Sequence, residues 1–157
     1  MLRPGILTLL CALLCASCGG GGGGRSGGGL PGPGDPGPPV DPVLGPDVRI
    51  STDAPGAELS LIPEVCCSGD VVYVAWYDRR NGDLDVYFNA SEDGGETWRE
   101  ADVRLDTDVA GAAGSLIPKL CCAGDAVYVV WFDERDGDPD IRFNRSLDRG
   151  VTWLAED

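Results

Sequence analysis

Short apolar runs separated by turn-forming residues predict β-strands over most of the chain beyond residue 46. Leu61 to Cys66 predicts an inner strand, Val71 to Tyr77 a second and Asp85 to Ala90 a third. The run Val71-Val72-Tyr73-Val74-Ala75-Trp76 is apolar at every position, as expected of a strand covered on both faces. The third strand alternates instead, with Val86 and Phe88 on one side. Asn81-Gly82 between the second and third is a tight-hairpin signal, because both residues tolerate the positive φ that such a turn needs. All of this returns further along, as Leu116 to Cys121, Val127 to Phe132 and Asp140 to Arg145, with Asp136-Gly137 at the turn. Laying residues 47–101 over 102–156 needs no gap, and 31 of the 55 positions are identical. Asp47 to Ser51 and Asp102 to Asp106 supply an outermost strand for each copy.

A duplication with a period slightly above that of a WD or kelch repeat implies one four-stranded sheet per copy, packed as a propeller blade. The expected fold class is all-β, an incomplete β-propeller of two four-stranded antiparallel blades. The third and fourth strands of each copy are joined by Ser91-Glu92-Asp93-Gly94-Gly95-Glu96-Thr97-Trp98 and by Ser146-Leu147-Asp148-Arg149-Gly150-Val151-Thr152-Trp153. Both read S-x-D-x-G-x-T-W. An Asp in such a loop can accept hydrogen bonds from backbone N–H groups just ahead of it, Ser and Thr do so more weakly, and Gly supplies positive φ. The closing Trp can fold its ring over the turn. The octapeptide resembles the Asp-box of the bacterial neuraminidase repeat, found on the blades of sialidase-like β-propellers. The resemblance implies a folding role for Ser91, Asp93, Gly95, Thr97 and Trp98, and for Ser146, Asp148, Gly150, Thr152 and Trp153.

The second copy ends where its outer strand would begin, whereas Asp47 to Ser51 is a spare outer strand. Two blades cannot close a ring. The chain is therefore expected to be part of a longer propeller, with further blades from missing sequence; the alternative is a ring completed by other chains, for example three chains making six blades.

Ahead of the repeats, Arg3 precedes an apolar run from Ile6 to Ala16 that is too short to span a bilayer, followed by Cys15-Ala16-Ser17-Cys18. Residues 1–17 thus predict a secretory signal. Its end resembles the lipobox of bacterial lipoproteins, which implies cleavage before Cys18, lipidation of Cys18 and an exported protein tethered to the bacterial cell envelope, at the outer membrane or cell surface. Cys15 departs from that pattern, where Leu is usual. Residues 18–46 are rich in glycine and then proline and have little to bury, which predicts a disordered tether. The repeats follow as 47–101 and 102–157.

Removing residues 1–17 takes away only Arg3 among the charged residues, leaving 11 Lys plus Arg against 26 Asp plus Glu and a net charge of −15. That balance leaves no basic surface for nucleic acid. The absence of histidine excludes histidine bases and histidine metal ligands. Cys66-Cys67 and Cys121-Cys122 are disulfide candidates in an exported chain, with three possible pairings. A vicinal bridge within each pair is expected, inter-copy bridges being the other option, because equivalent positions on adjacent blades are expected to exceed the usual Cα spacing of about 5.5 Å. Asp78, Asn81, Asp83 and Asp85, matched by Asp133, Asp136, Asp138 and Asp140, crowd oxygen ligands near each turn. They are weak calcium candidates, since their spacing is not that of an EF-hand; no other cofactor is expected.

In sialidases the first substrate-binding arginine lies in an R-I-P triplet ahead of the first box. Here those triplets read Leu61-Ile62-Pro63 and Leu116-Ile117-Pro118, and none of Tyr73, Tyr77, Tyr87 and Tyr128 is singled out as a nucleophile with a glutamate partner. The resemblance therefore does not carry a catalytic residue over. The expected function is a surface-anchored binding or structural module with a glycan or protein ligand, the alternative being an exo-sialidase or related glycosidase.

Overall fold

The structure is a computed structural model that describes residues 46–157. The signal segment 1–17, Cys18 and the tether up to residue 45 lie outside the described residues. Seven strands follow: β1 (Ser60–Ser68), β2 (Val71–Asp78), β3 (Asp85–Ser91), β4 (Val103–Arg104), β5 (Ser115–Ala123), β6 (Ala126–Asp133) and β7 (Asp140–Ser146). There is no helix among the described residues. The strands form two antiparallel sheets, a four-stranded one in the order β1-β2-β3-β4 and a three-stranded one in the order β5-β6-β7, and neither closes on itself.

Two expectations about strands are corrected. Asp47 to Ser51 is not a strand, and the second sheet has three strands rather than four. The reason lies in where edges are offered. β4 pairs with β3 through Tyr87–Arg104 and Phe88–Val103, whereas residues 47–51 meet no third-strand edge among the described residues and instead pack Ile50 on the first sheet's Val74, Trp76 and Tyr87. The turns also differ from the tight loop suggested by Asn81-Gly82. Strand pairing stops at Asp78–Asp85, so the loop runs over residues 79–84, because the Asp78 carboxylate accepts the Arg80 N–H (3.1 Å) and pulls the backbone out of the ladder. Gly69-Asp70 and Gly124-Asp125 are the two-residue turns, joining β1 to β2 and β5 to β6.

In both copies the inner strand carries a bulge at the Leu-Ile-Pro triplet. Register shifts between Leu61 and Glu64 and between Leu116 and Lys119, with Ile62 and Ile117 held at φ of 49° and 54°. A β-branched residue in that region is strained, and proline next to it cannot donate to the ladder.

The core lies between the sheets. Tyr73, Ala75, Val86, Phe88 and Ala90 on one face of the first sheet are buried against Val127, Val129 and Trp131 of the second, with Leu105 sealing the edge. A fully buried side chain of this size contributes about 1.5–3 kcal/mol. The sheets also share backbone bonds, Ser115 N–H to Leu84 O (2.6 Å) and Asp83 N–H to Gly111 O (3.2 Å).

The cysteine pairing overturns the vicinal expectation. Cys66 is bridged to Cys122, with Cα atoms 6.1 Å apart. The inner strands β1 and β5 lie side by side, and the bridge is staggered by one residue, so it joins non-equivalent positions. A Lys119–Glu64 ion pair crosses the same seam.

Gly111 marks the closest approach. Its φ is +67°, and a Cβ there would lie 2.2 Å from the Asn81 carbonyl oxygen. Gly56, its counterpart in the first copy, has φ +71° and open space around it. Gly111→Ala is expected to cost about 1–3 kcal/mol and Gly56→Ala distinctly less, as read from urea unfolding curves.

Candidate functional site

The two octapeptides form hairpin loops with nearly the same hydrogen bonds. Ser91 Oγ donates to Asp93 Oδ1 (2.7 Å) and accepts the Gly95 N–H (2.8 Å). Asp93 then accepts the Thr97 N–H (2.8 Å) and the Thr97 hydroxyl (2.5 Å). In the second loop Ser146 Oγ donates to Asp148 (2.7 Å) and accepts from Gly150 (2.7 Å), while Asp148 accepts from Thr152 N–H and hydroxyl at 2.8 and 2.6 Å. These bonds, the Thr hydroxyl and N–H foremost, hold both carboxyls down at a pKa of about 2. A carboxylate so committed neither donates a proton nor attacks.

Each closing Trp lies over a sheet face. Trp98 packs on the cluster of Val74, Trp76 and Tyr87. Trp153 reaches across to the first sheet, its ring 4.9 Å from Phe88 in an edge-on contact, with its indole N–H on Gly150 O (3.1 Å).

Sequence reasoning missed the residue that closes each loop. Asn89 Oδ1 accepts the Arg99 N–H (3.1 Å) and its Nδ2 donates to the Arg99 carbonyl (3.2 Å). Asn144 does the same to Leu154 at 3.0 and 3.3 Å. Both are buried, and the available signal was an amide identical in both copies, next to Phe88 and Phe143 in the third strand of each copy.

The turn carboxylates are held by arginines. Asp78 accepts from Trp76 Nε1 (3.1 Å) and from Arg80, which also reaches Asp102 (2.8 Å). Asp133 repeats this with Trp131 Nε1 (3.1 Å), Arg135 (2.6 Å) and the Ser115 hydroxyl (2.9 Å), while Arg135 reaches Asp157 (2.7 Å). Burial pushes the Asp133 carboxyl up, but Arg135, Trp131 and Ser115 outweigh it and leave it at about 2. Asp78 and Asp133 are therefore committed inside the protein rather than turned towards a shared ligand.

Of the calcium candidates, Asp85 accepts from Asn81 Nδ2 (2.7 Å) and from the Gly111 N–H (3.0 Å), and Asp83 caps the Leu84 N–H (2.9 Å). Asp136 pairs with Arg142 (2.5 Å), while Asp138 and Asp140 stand exposed. The carboxylates that do converge are Asp85, Asp106 and Asp108, two of which the sequence had not paired with the turn. Arg104 Nη1 sits among them at 3.2, 2.7 and 3.2 Å. Burial and the neighbouring Asp85 raise the Asp106 pKa against the pull of Arg104. A cation would have to displace that guanidinium.

Neither central tyrosine is activated. Burial, helped by Asp85, pushes the Tyr87 phenol up to about 12, and burial also raises Tyr73, whose hydroxyl donates to Gly124 O (3.4 Å). What stands open instead is apolar. The face of the second sheet turned away from the first carries Tyr128, Val130, Phe132, Ile141 and Phe143, with Ile141 64% exposed. On the first sheet, a pocket of about 150 Å³ lies between Ile50, Leu61, Pro63, Val74 and Trp76.

Comparison of the chain with protein-family models, with curated protein sequences and with solved structures finds no match.

The loop carboxylates set a pH dependence. Because the Asp93 and Asp148 pKa values are depressed to about 2 from 3.8, the stability they contribute is present above about pH 4 and is lost as pH falls through 2. Asp93→Asn and Asp148→Asn are each expected to lower the thermal midpoint at pH 7, with the difference from the parent shrinking between pH 4 and pH 2 in circular-dichroism melts.

Proposed function

We propose that this chain is an exported, envelope-tethered binding and structural module whose two sheets are blades of the sialidase-like Asp-box propeller type, with a glycan or protein as ligand. The observation that carries the reading is the stacking of two sequence-equivalent sheets through apolar faces, with the octapeptide hairpins as closing devices. The lipobox resemblance at Cys18 and the glycine- and proline-rich segment behind it support the tether. Against a glycosidase stand Leu61 and Leu116 where the resemblance calls for an arginine, the raised Tyr87 phenol and the internal commitment of Asp78, Asp93, Asp133 and Asp148. Calcium is not required by this reading.

Two measurements test it. The full-length chain is expected to give no turnover of a fluorogenic sialoside; turnover abolished by substituting a single tyrosine contradicts the module reading. Expression in a bacterium fed radiolabelled palmitate is expected to label the chain, with the label lost in Cys18→Ser; labelling that survives the substitution contradicts the anchor.

A further inference from the structure

We infer that the open face of the second sheet is the docking site for the first sheet of a second copy of this chain, so that copies associate head to tail. The inference goes beyond the binding-module reading and stands on the repeat geometry alone.

The open face is the counterpart of a face that is already covered. Tyr128, Val130, Phe132, Ile141 and Phe143 correspond, 55 residues on, to Tyr73, Ala75, Tyr77, Val86 and Phe88. Tyr73, Ala75, Val86 and Phe88 are fully buried under the second sheet, whereas Val130, Phe132, Ile141 and Phe143 are 36–64% exposed. Even the aromatic pairing is kept: Tyr128 and Phe143 stack at 6.4 Å as Tyr73 and Phe88 do at 6.1 Å. The element that covers the first sheet's face does so through Val129, Trp131, Leu105 and Trp153. Their counterparts in the first copy are Val74, Trp76, Ile50 and Trp98, three of the four identical, and these lie together on the first sheet's other face beside the open pocket. One copy thus carries both halves of a contact that it already makes internally once.

Three features at the seam fit the second contact as well as the first. Phe143 would meet Trp98 of the second copy as Phe88 meets Trp153. Position 64 is Glu and its counterpart 119 is Lys, so the internal Glu64–Lys119 pair becomes Lys119 against Glu64 of the second copy, still opposite in sign. Had the duplication kept one residue at both positions, the seam would set like charges together. The backbone bonds from Asp83 N–H to Gly111 O and from Ser115 N–H to Leu84 O require a donor at 83, a carbonyl at 84, a left-handed glycine at 111 and a donor at 115. Asp138, Pro139, Gly56 and Ser60 meet those requirements. The Arg99 clamp on Arg149 O and Gly150 O has no counterpart, because residue 154 is Leu, so the contact between copies should be weaker than the internal one. Such a contact is heterologous and gives a closed ring or an open row according to its rotation.

Sedimentation velocity on the full-length chain, from about 1 to about 100 µM, tests this. Concentration-dependent association is expected, and Ile141→Asp and Phe132→Arg, which alter only the open face, should each weaken it about tenfold or more while leaving the thermal midpoint unchanged. Trp98→Ala should weaken it from the other side. A monomer throughout the range overturns the proposal, and so does association that both open-face variants leave intact, which would locate the contact elsewhere in the chain. Sialoside turnover or lipid labelling has no bearing on this result.

Discussion

Burial of a sheet face that no single sheet can cover for itself governs this molecule. β2 and β6 are apolar at nearly every position, so each sheet has two faces to remove from water and only one neighbour among the described residues. Trp131, Val129 and Val127 meet Tyr73, Ala75 and Phe88 for that reason, and the details of the seam follow from it. Leu105 is buried because the chain, leaving the first sheet by β4, must cross the edge of the core before it turns into β5. Gly111 has no room for a side chain because the crossing presses it against Asn81. Cys66 reaches Cys122 because stacking brings the inner strands together.

The polar groups serve the same stacking. Buried carboxylates are tolerated only when paired and hydrogen-bonded. Asp78 and Asp133 satisfy that condition by taking a tryptophan N–H and an arginine each, and the arginines then hold Asp102 and Asp157 on the segment that leaves the hairpin. The octapeptide carboxylates act at the far end of the same segment, and Asn89 and Asn144 bind its backbone between the two. The segments that follow β3 and β7 are each thereby fixed at several points, which is how a fold with so few strand-to-strand bonds beyond those two strands keeps these edges in place.

Much of this was legible in the sequence. The apolar runs located the strands of both sheets to within a few residues, the gapless duplication implied two like sheets, and the spelling S-x-D-x-G-x-T-W implied loops closed by their own side chains. Other features were not legible, each for a physical reason. The outer segment at 47–51 has strand-like residues, but strandedness depends on an edge that local sequence cannot supply. The disulfide joins positions one step out of equivalence, because Cys122 lies against both members of the facing pair, its sulfur bonded to Cys66 and 3.5 Å from the Cys67 carbonyl oxygen, and spacing along the chain does not choose between them. The turn carboxylates looked like ligands because spacing alone does not tell a carboxylate closed onto an arginine two residues on, as Asp78 is by Arg80, from an open one, and Asp85 is met by Arg104 from nineteen residues away. Asn89 and Asn144 went unnoticed because a buried amide is silent until its backbone partner is known.

The account stands or falls on the two sheets facing each other through these side chains. A double-mutant cycle on Phe88 and Trp153, whose ring centroids are 4.9 Å apart across the seam, measures that contact with least interference. The expected result is a coupling energy of about 0.5–1.5 kcal/mol between Phe88→Ala and Trp153→Ala in chemical unfolding. Strict additivity of the two substitutions would mean that the rings do not meet, and the stacked arrangement would have to be abandoned.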